Sequence, residues 1–322
     1  MTKGKPLFRG HYQPHLPGDL GFYDLRLPEV HEEQTEMAQE YGISGFCYYH
    51  YWFHGRRMLE GVFEDVLKSG KPDFPFCLCW ANETWRRTWD KGENEVLVEQ
   101  TYSENDDLNH INYLIEAFKD PRYIRIDGRP LFLIYRAEMV ETRMVRMLEI
   151  WNKRLRNEGI PELYICGVRT PPTQGFDANV DFFPPKNLKT KFIDKLRWKL
   201  LDKVFRKAPY VRKEYADIVD EQLTKPYPNY KNFLCSAPNW DNSARRSFGG
   251  AYILNNSSPR EFRRWFDFCV KETLARFSGD ERIVFVNAWN EWGEGAHLEP
   301  DQEFGLSYLE AIRDVLRSHR GS

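Results

Sequence analysis

The chain has 322 residues, 46 Lys+Arg against 48 Asp+Glu, and a formal net charge of −2. That length supports a sizeable buried core, and the charge balance argues against nucleic acid or an anionic membrane as the main partner. No N-terminal apolar stretch resembles a signal peptide and no run approaches membrane-spanning length, so the chain reads as cytoplasmic and without a transmembrane segment.

The first thirty residues supply no strand; Gly10-His-Tyr-Gln-Pro-His-Leu-Pro17 reads as an extended loop. A helix is predicted over Glu29–Tyr41, then a strand over Ile43–Tyr51 and a helix over Phe63–Ser69. A strand at Phe76–Ala81 precedes a helix at Glu104–Phe118. The strand Leu131–Tyr135 leads to the helix Glu138–Asn157, and the strands Leu163–Val168 and Val180–Phe183 follow. Residues 186–213 are basic, with Lys189, Lys191, Lys195, Arg197, Lys199, Lys203, Arg206 and Lys207, and read as a helical insertion with a solvated face; an anionic lipid or phosphate-bearing glycan carrier is the alternative contact. Then come a helix at Tyr210–Leu223, a strand at Phe233–Ala237, a helix at Pro259–Phe277, a strand at Ile283–Ala288 and a helix at Leu306–Arg317.

Strand alternating with helix argues an α/β fold with a parallel sheet and helices outside it. The strand runs are nearly continuously apolar, as strands covered on both faces are. This pattern gives seven strands where a closed (β/α)8 TIM barrel has eight. The expectation is one TIM-barrel-like domain over residues 1–322 that lacks or rearranges its first strand. The six cysteines, at 47, 77, 79, 166, 235 and 269, lie mostly inside strand-like runs and are expected to be free, buried thiols.

Aromatic residues make up 15% of the chain, and several fall at strand ends, where a barrel builds its site. Tyr48-Tyr-His-Tyr-Trp-Phe-His54 offers His50, Tyr51 and Trp52. Trp80-Ala-Asn-Glu-Thr-Trp85 offers Trp80, Asn82, Glu83 and Trp85, and the next strand ends in Tyr135 and Arg136. Pro238-Asn-Trp-Asp-Asn-Ser-Ala-Arg-Arg246 offers Trp240, Asp241 and Arg245. Singly, each has an ordinary use: His50 as a core histidine, Asn82-Glu83 as a helix cap, Asp241-Asn242 as a turn. Their convergence is what points to a carbohydrate cleft.

The last strand ends in Trp289-Asn-Glu-Trp-Gly-Glu-Gly-Ala-His-Leu-Glu-Pro-Asp301. Glu291 and Glu294 stand three residues apart, flanked by Trp289, Asn290, Trp292 and His297. Two carboxylates beside indole rings suit glycosidic chemistry: one handles the proton of the glycosidic oxygen, the other activates a nucleophile. Gly293 and Gly295 let the backbone approach a ligand closely. Glu299-Pro300 reads as structural, holding the loop. There is no P-loop, no Gly-x-Gly-x-x-Gly after a strand, no His-Glu-x-x-His, no Gly-x-Ser-x-Gly and no convincing Asp-x-Asp; no cofactor and no metal are expected.

At Trp289–Asp301 the sequence resembles glycoside hydrolase family 99, and more closely its WbsX-type relatives. The likeness continues through Gly10-His-Tyr-Gln-Pro-His, Gly45-Phe-Cys-Tyr-Tyr-His-Tyr-Trp-Phe, Pro75-Phe-Cys-Leu-Cys-Trp-Ala-Asn-Glu and Trp240-Asp-Asn-Ser-Ala-Arg-Arg, from about Lys5 to Leu316. The resemblance implies a (β/α)8 barrel and work on O-antigen, lipopolysaccharide or other bacterial surface polysaccharides, where such proteins are labelled glycosyltransferases. It also implies retaining chemistry in which the sugar's own 2-hydroxyl attacks the anomeric carbon, with Glu291 as base and Glu294 as acid. Gly293 departs from the hydrolases, which carry His there, and leaves mannose specificity open. The expected partner is an oligo- or polysaccharide, lipid-linked ones included. A sugar-nucleotide-dependent glycosyltransferase and a non-catalytic glycan binder or truncated relic are the alternatives; oligomeric state is not legible.

Overall fold

The structure is a computed structural model that describes residues 4–87, 95–185, 210–246 and 250–320. Most of the basic stretch at 186–213, and Trp89 beyond the Trp80 strand, lie outside the described residues. Its last four residues belong to a strand, Tyr210–Glu214.

The central sheet follows chain order. Phe46–Phe53 pairs in parallel with Phe76–Trp80, which pairs with Arg129–Ile134, then Tyr164–Val168, Ala178–Val180 and Asn232–Phe233. Cys235–Ser236 then pairs in parallel with Phe285–Val286. The order never reverses, as it would in a doubly wound sheet, so the sheet winds one way as a barrel does. Among the described residues no backbone pairing joins Phe46–Phe53 to Phe285–Val286; across that opening the rings of Phe46 and Trp289 lie 5.3 Å apart. The expected α/β class and parallel sheet are present, and barrel closure is not.

Helices cover the outside because their caps and apolar stripes demand it. Glu104–Lys119 starts at Ser103, whose hydroxyl accepts from the Asp106 N–H, and carries Glu104, Asp106 and Asp107 in its first turn, where negative charge suits the helix dipole. Pro259–Arg276 starts the same way at Ser258, with proline in the position that needs no N–H donor. Together with Met144–Asn157, the Glu104 helix packs Ile111, Leu114, Phe118, Met147 and Trp151 onto Phe76, Leu78, Trp80, Phe132 and Ile134. A second apolar cluster joins Pro259–Arg276 and Ser307–Ser318 to Phe183, Tyr215, Trp240 and Leu298. No described helix is long and apolar enough to cross a membrane.

Three sequence expectations need correction. The helix expected from Tyr210 begins at Tyr215; Tyr210–Glu214 pairs with Ala251–Asn255, a strand not anticipated, whose buried Tyr252, Ile253 and Leu254 reward pairing over helix propensity. The helix expected from Glu138 begins at Met144, after two short 3₁₀ turns. Cys47 is exposed, on the strand beside the opening, while the other five free thiols are buried.

Side chains alternate across Phe46–Phe53. His50 and Trp52 face the helices: His50 Nε2 lies 2.9 Å from His110 Nε2, and the Trp52 indole N–H donates to Asp106. Burial drives the His50 imidazole down to about 3, so it stays neutral. Trp80 shares that layer, 1% exposed, between His110 and Trp151. Trp80→Ala is therefore expected to cost about 3–5 kcal/mol in urea unfolding, as truncation of a buried tryptophan does; a loss below about 1 kcal/mol would place the ring outside the core.

Candidate functional site

The last strand delivers its loop as a small hairpin. Asn290–Glu291 pairs antiparallel with Ala296–His297 around the turn Trp292–Glu294. Gly295 closes the turn with φ +63°, and a Cβ there would stand 3.1 Å from the Asp241 backbone nitrogen. Only glycine combines that backbone conformation with that approach. The Asp241 N–H donates to the Glu294 carbonyl at 2.7 Å, tying the turn to the neighbouring strand end.

Two buried carboxylates hold this arrangement. Asp241 Oδ2 takes hydrogen bonds from His11 Nε2 and Gln13 Nε2, both at 2.7 Å, so the extended N-terminal segment is folded over the strand ends. Burial would raise the Asp241 carboxyl, but the bonds from His11, Ser243 and Gln13 outweigh it and leave it below its ordinary range. Glu299 accepts from the Tyr23 hydroxyl at 2.7 Å, Gln34 Nε2 at 2.7 Å and the Trp292 indole N–H at 2.6 Å. It is the loop holder that Glu299-Pro300 suggested. Trp292 stacks on His297 with ring centroids 3.8 Å apart.

Glu291 and Glu294 remain accessible, with side chains 39% and 27% exposed. Arg245 lies between them: Nη1 is 3.4 Å from Glu291 Oε1 and 3.2 Å from Glu294 Oε1. Burial, and then the charge of Glu291, push the Glu294 carboxyl up to about 7, with Arg245, Arg246 and Arg169 pulling the other way. A carboxyl at that position holds a proton near neutrality and can give it up, as a general acid must. Gly293 makes room for this: a Cβ there would meet Arg245 Cδ at 3.1 Å and Glu291 Oε1 at 3.2 Å.

The structure sorts the other predicted residues. Tyr51 and Tyr135 belong with the pair: burial raises both phenols to about 12, with Glu291 acting on Tyr51 and Glu294 among the charges on Tyr135. Tyr51 packs on Trp85 at 5.1 Å, and Tyr49 on Tyr135 at 5.9 Å. Arg136 pairs with Glu83 at 2.8 Å and with Glu138 at 2.8 Å, both part-exposed. Asn82 is fully buried; its amide donates to the Arg136 carbonyl and its oxygen accepts from the Arg136 N–H, so it shapes the backbone instead of facing a ligand. Asn290 donates to the Tyr23 hydroxyl. Trp240 is buried in the second core cluster and Asp241 is spent on His11 and Gln13. His297 is buried beneath Trp292. His50, Trp52 and Trp80 face the helices, as described above, because alternation along a strand sends every second side chain outward.

Sequence reading passed over Arg169. It follows the strand Tyr164–Val168, has φ +57°, which is uncommon for a residue with a Cβ, and its guanidinium lies over the rings of Tyr135 and Phe182 at 5.0 and 4.5 Å. It also donates to the Tyr135 hydroxyl. The available signal was its place at a strand's C-terminal end. A separate hollow on the outer face of Met144–Asn157, lined by Val145, Leu148, Asn152 and Gln174, has no aromatic ring and no carboxylate pair.

The family model described as glycosyltransferase WbsX matches residues 1–312. The chain is 40% identical over 321 residues to the protein named WxcX of Xanthomonas campestris pv. campestris, in strain B100 and again in strain ATCC 33913. That match takes in 98% of this chain and 45% of WxcX, so the chain spans about half the length of these relatives. Among solved structures it is similar to a glycoside hydrolase-like protein, with TM-score 0.65, 16% identity and coverage of 96% of this chain and 91% of the other. It is also similar to the GH99 endo-alpha-mannosidase from Bacteroides thetaiotaomicron, with TM-score 0.57, 15% identity and coverage of 95% and 83%. At such identities the likeness is one of fold. Gly295→Ala is expected to destabilise the chain by about 1–3 kcal/mol, from the left-handed backbone and the Asp241 contact; thermal unfolding checks this, and an unchanged midpoint would contradict the turn geometry.

Proposed function

Because the chain belongs to the WbsX glycosyltransferase family, we propose that it is a carbohydrate-active enzyme of bacterial surface-polysaccharide assembly, with Glu291 and Glu294 as its catalytic pair. The observation that carries this is a carboxyl raised to about 7 beside a second carboxylate three residues away, on an accessible turn at the end of the last strand. We further propose one barrel-type domain over residues 1–322, working in the cytoplasm on an oligo- or polysaccharide such as an O-antigen or lipopolysaccharide precursor, lipid-linked ones included.

The chemistry proposed is retaining and assisted by the substrate. Glu291 takes the proton of the sugar's 2-hydroxyl as its oxygen attacks the anomeric carbon. The bond to the leaving oxygen breaks, and Glu294 supplies that oxygen's proton. The product is a 1,2-anhydro sugar. Glu294, now a carboxylate, takes a proton from water or an acceptor hydroxyl that opens the three-membered ring at the anomeric carbon, and Glu291 returns its proton to the 2-oxygen. Two inversions give net retention, with hydrolysis or transfer decided by the acceptor. Tyr51, Trp85, Tyr135, Trp289 and Trp292 supply aromatic surface for sugar C–H faces, while Glu83 and Arg136 offer hydrogen bonds at the rim.

Glu294→Gln is expected to lower turnover of an oligosaccharide substrate by at least about 100-fold, the scale of general-acid loss, with glycan binding retained; unchanged turnover would exclude the pair. A 2-deoxy analogue should not be cleaved, whereas a double displacement on an enzyme carboxylate would tolerate it. The acid must be protonated for the first step, so kcat/KM should fall as pH rises through about 7. A rate that keeps rising above pH 8 would assign Glu294 another role. The family description also names glycosyl transfer, and tight calorimetric binding of a nucleotide sugar would favour a sugar-nucleotide-dependent transferase. Glycan binding without turnover in the unaltered chain would favour the non-catalytic reading.

A further inference from the structure

A second constellation lies behind the glutamate turn. His15 Nδ1 is 3.1 Å from His297 Nε2, and His297 Nε2 is 3.9 Å from Asp301 Oδ2. One donor atom from each of the three residues falls within 4.8 Å of the others. All three side chains are buried, with exposures of 7%, 5% and 5%. Tetrahedral zinc with bonds of about 2.0–2.2 Å sets its ligand atoms about 3.3–3.5 Å apart. Two of the three separations bracket that spacing, and the third, between His15 and Asp301, lies within 4.8 Å.

The orientation of His297 and Asp301 fits as well. His297 Nδ1 lies 3.0 Å from the Glu299 carbonyl, to which its N–H donates, and this leaves a lone pair on Nε2 aimed at His15. A backbone carbonyl on the far nitrogen is the usual outer support of a metal-bound imidazole. Asp301 Oδ1 is fixed by the N–H groups of Glu303 at 3.0 Å and Phe304 at 2.7 Å, and Oδ2 is turned toward His297. A hydrogen bond between the two imidazoles would satisfy those rings, but it would leave the buried Asp301 carboxylate without a cation.

We infer that His15, His297 and Asp301 form a binding site for one divalent transition-metal ion, Zn2+ by its two-imidazole, one-carboxylate donor set, with water in the fourth position. The donor set favours zinc over Mg2+ or Ca2+, which prefer all-oxygen cages. The ion would join the N-terminal segment, through His15, to the loop that bears Glu291 and Glu294, since Trp292 stacks on His297 and Asn290 pairs with it in the hairpin. The inference is independent of the chemistry proposed for the glutamates.

The test uses untagged protein stripped with a chelator, incubated with Zn2+, passed through gel filtration and assayed by mass spectrometry of the element. One zinc per chain and a higher melting temperature are expected. The Co2+ form should show the visible bands of a tetrahedral site with nitrogen and oxygen ligands, without thiolate charge transfer. His15→Gln and Asp301→Asn should each weaken Zn2+ binding by more than the roughly 10- to 100-fold that loss of an outer partner costs, and should abolish the Zn2+-dependent rise in melting temperature. No retained zinc and no thermal shift in the unaltered chain would overturn the site, and so would a full equivalent of zinc in either variant. If a variant fails to fold, the Co2+ spectrum of the unaltered chain decides: thiolate bands would move the ion to the cysteines and end the proposal.

Discussion

The hydrogen bond from the Asp241 N–H to the Glu294 carbonyl fixes where the glutamate turn can sit, and most of the strand-end architecture serves to keep it there. The Asp241 carboxylate is buried as well, and His11, Gln13 and the Ser243 N–H satisfy it. The N-terminal segment is therefore part of the site, although it contributes no strand to the sheet. On the other side of the turn, Glu299 gathers Tyr23, Gln34 and Trp292 into the same scaffold. A buried carboxylate stripped of such donors costs several kcal/mol, so loss of these contacts would destabilise the turn's supports.

This scaffold keeps both carboxyl groups beside Arg245. Glu291 pushes the Glu294 carboxyl upward and Arg245 limits the push, leaving it near 7 and not far above. Arg245 keeps its place because Gly293 has no side chain to displace it. Gly293 thus has a local physical consequence: a side chain at 293 would compete with Arg245 for the space beside Glu291.

Much of this was legible in the residues, and the misses follow a rule. The adjacency of the two glutamates, their flanking indoles and the Glu299 brace was readable because they share one segment. Strand identity was readable in the long apolar runs of the central sheet; Tyr210–Glu214 was missed because Arg212, Lys213 and Glu214 interrupt its apolar character. His50, Tyr51 and Trp52 were read together as cleft residues, yet Tyr51 faces that way with Tyr49 while His50 and Trp52 support the Glu104 helix. Both faces of that strand are aromatic, so composition could not say which parity was inward. His11, Gln13 and Tyr23 act through contacts more than two hundred residues distant in sequence, and no spacing rule reaches that far.

The central claim is that Glu294 carries a proton near neutral pH because it is buried beside Glu291. Its most direct test is a pH titration of the glutamate side-chain carboxyl carbons by 13C NMR, with the Glu294 resonance assigned from its absence in Glu294→Gln. A midpoint near 7 is the result this account predicts. A midpoint in the ordinary carboxylate range, about 4–5, would contradict it.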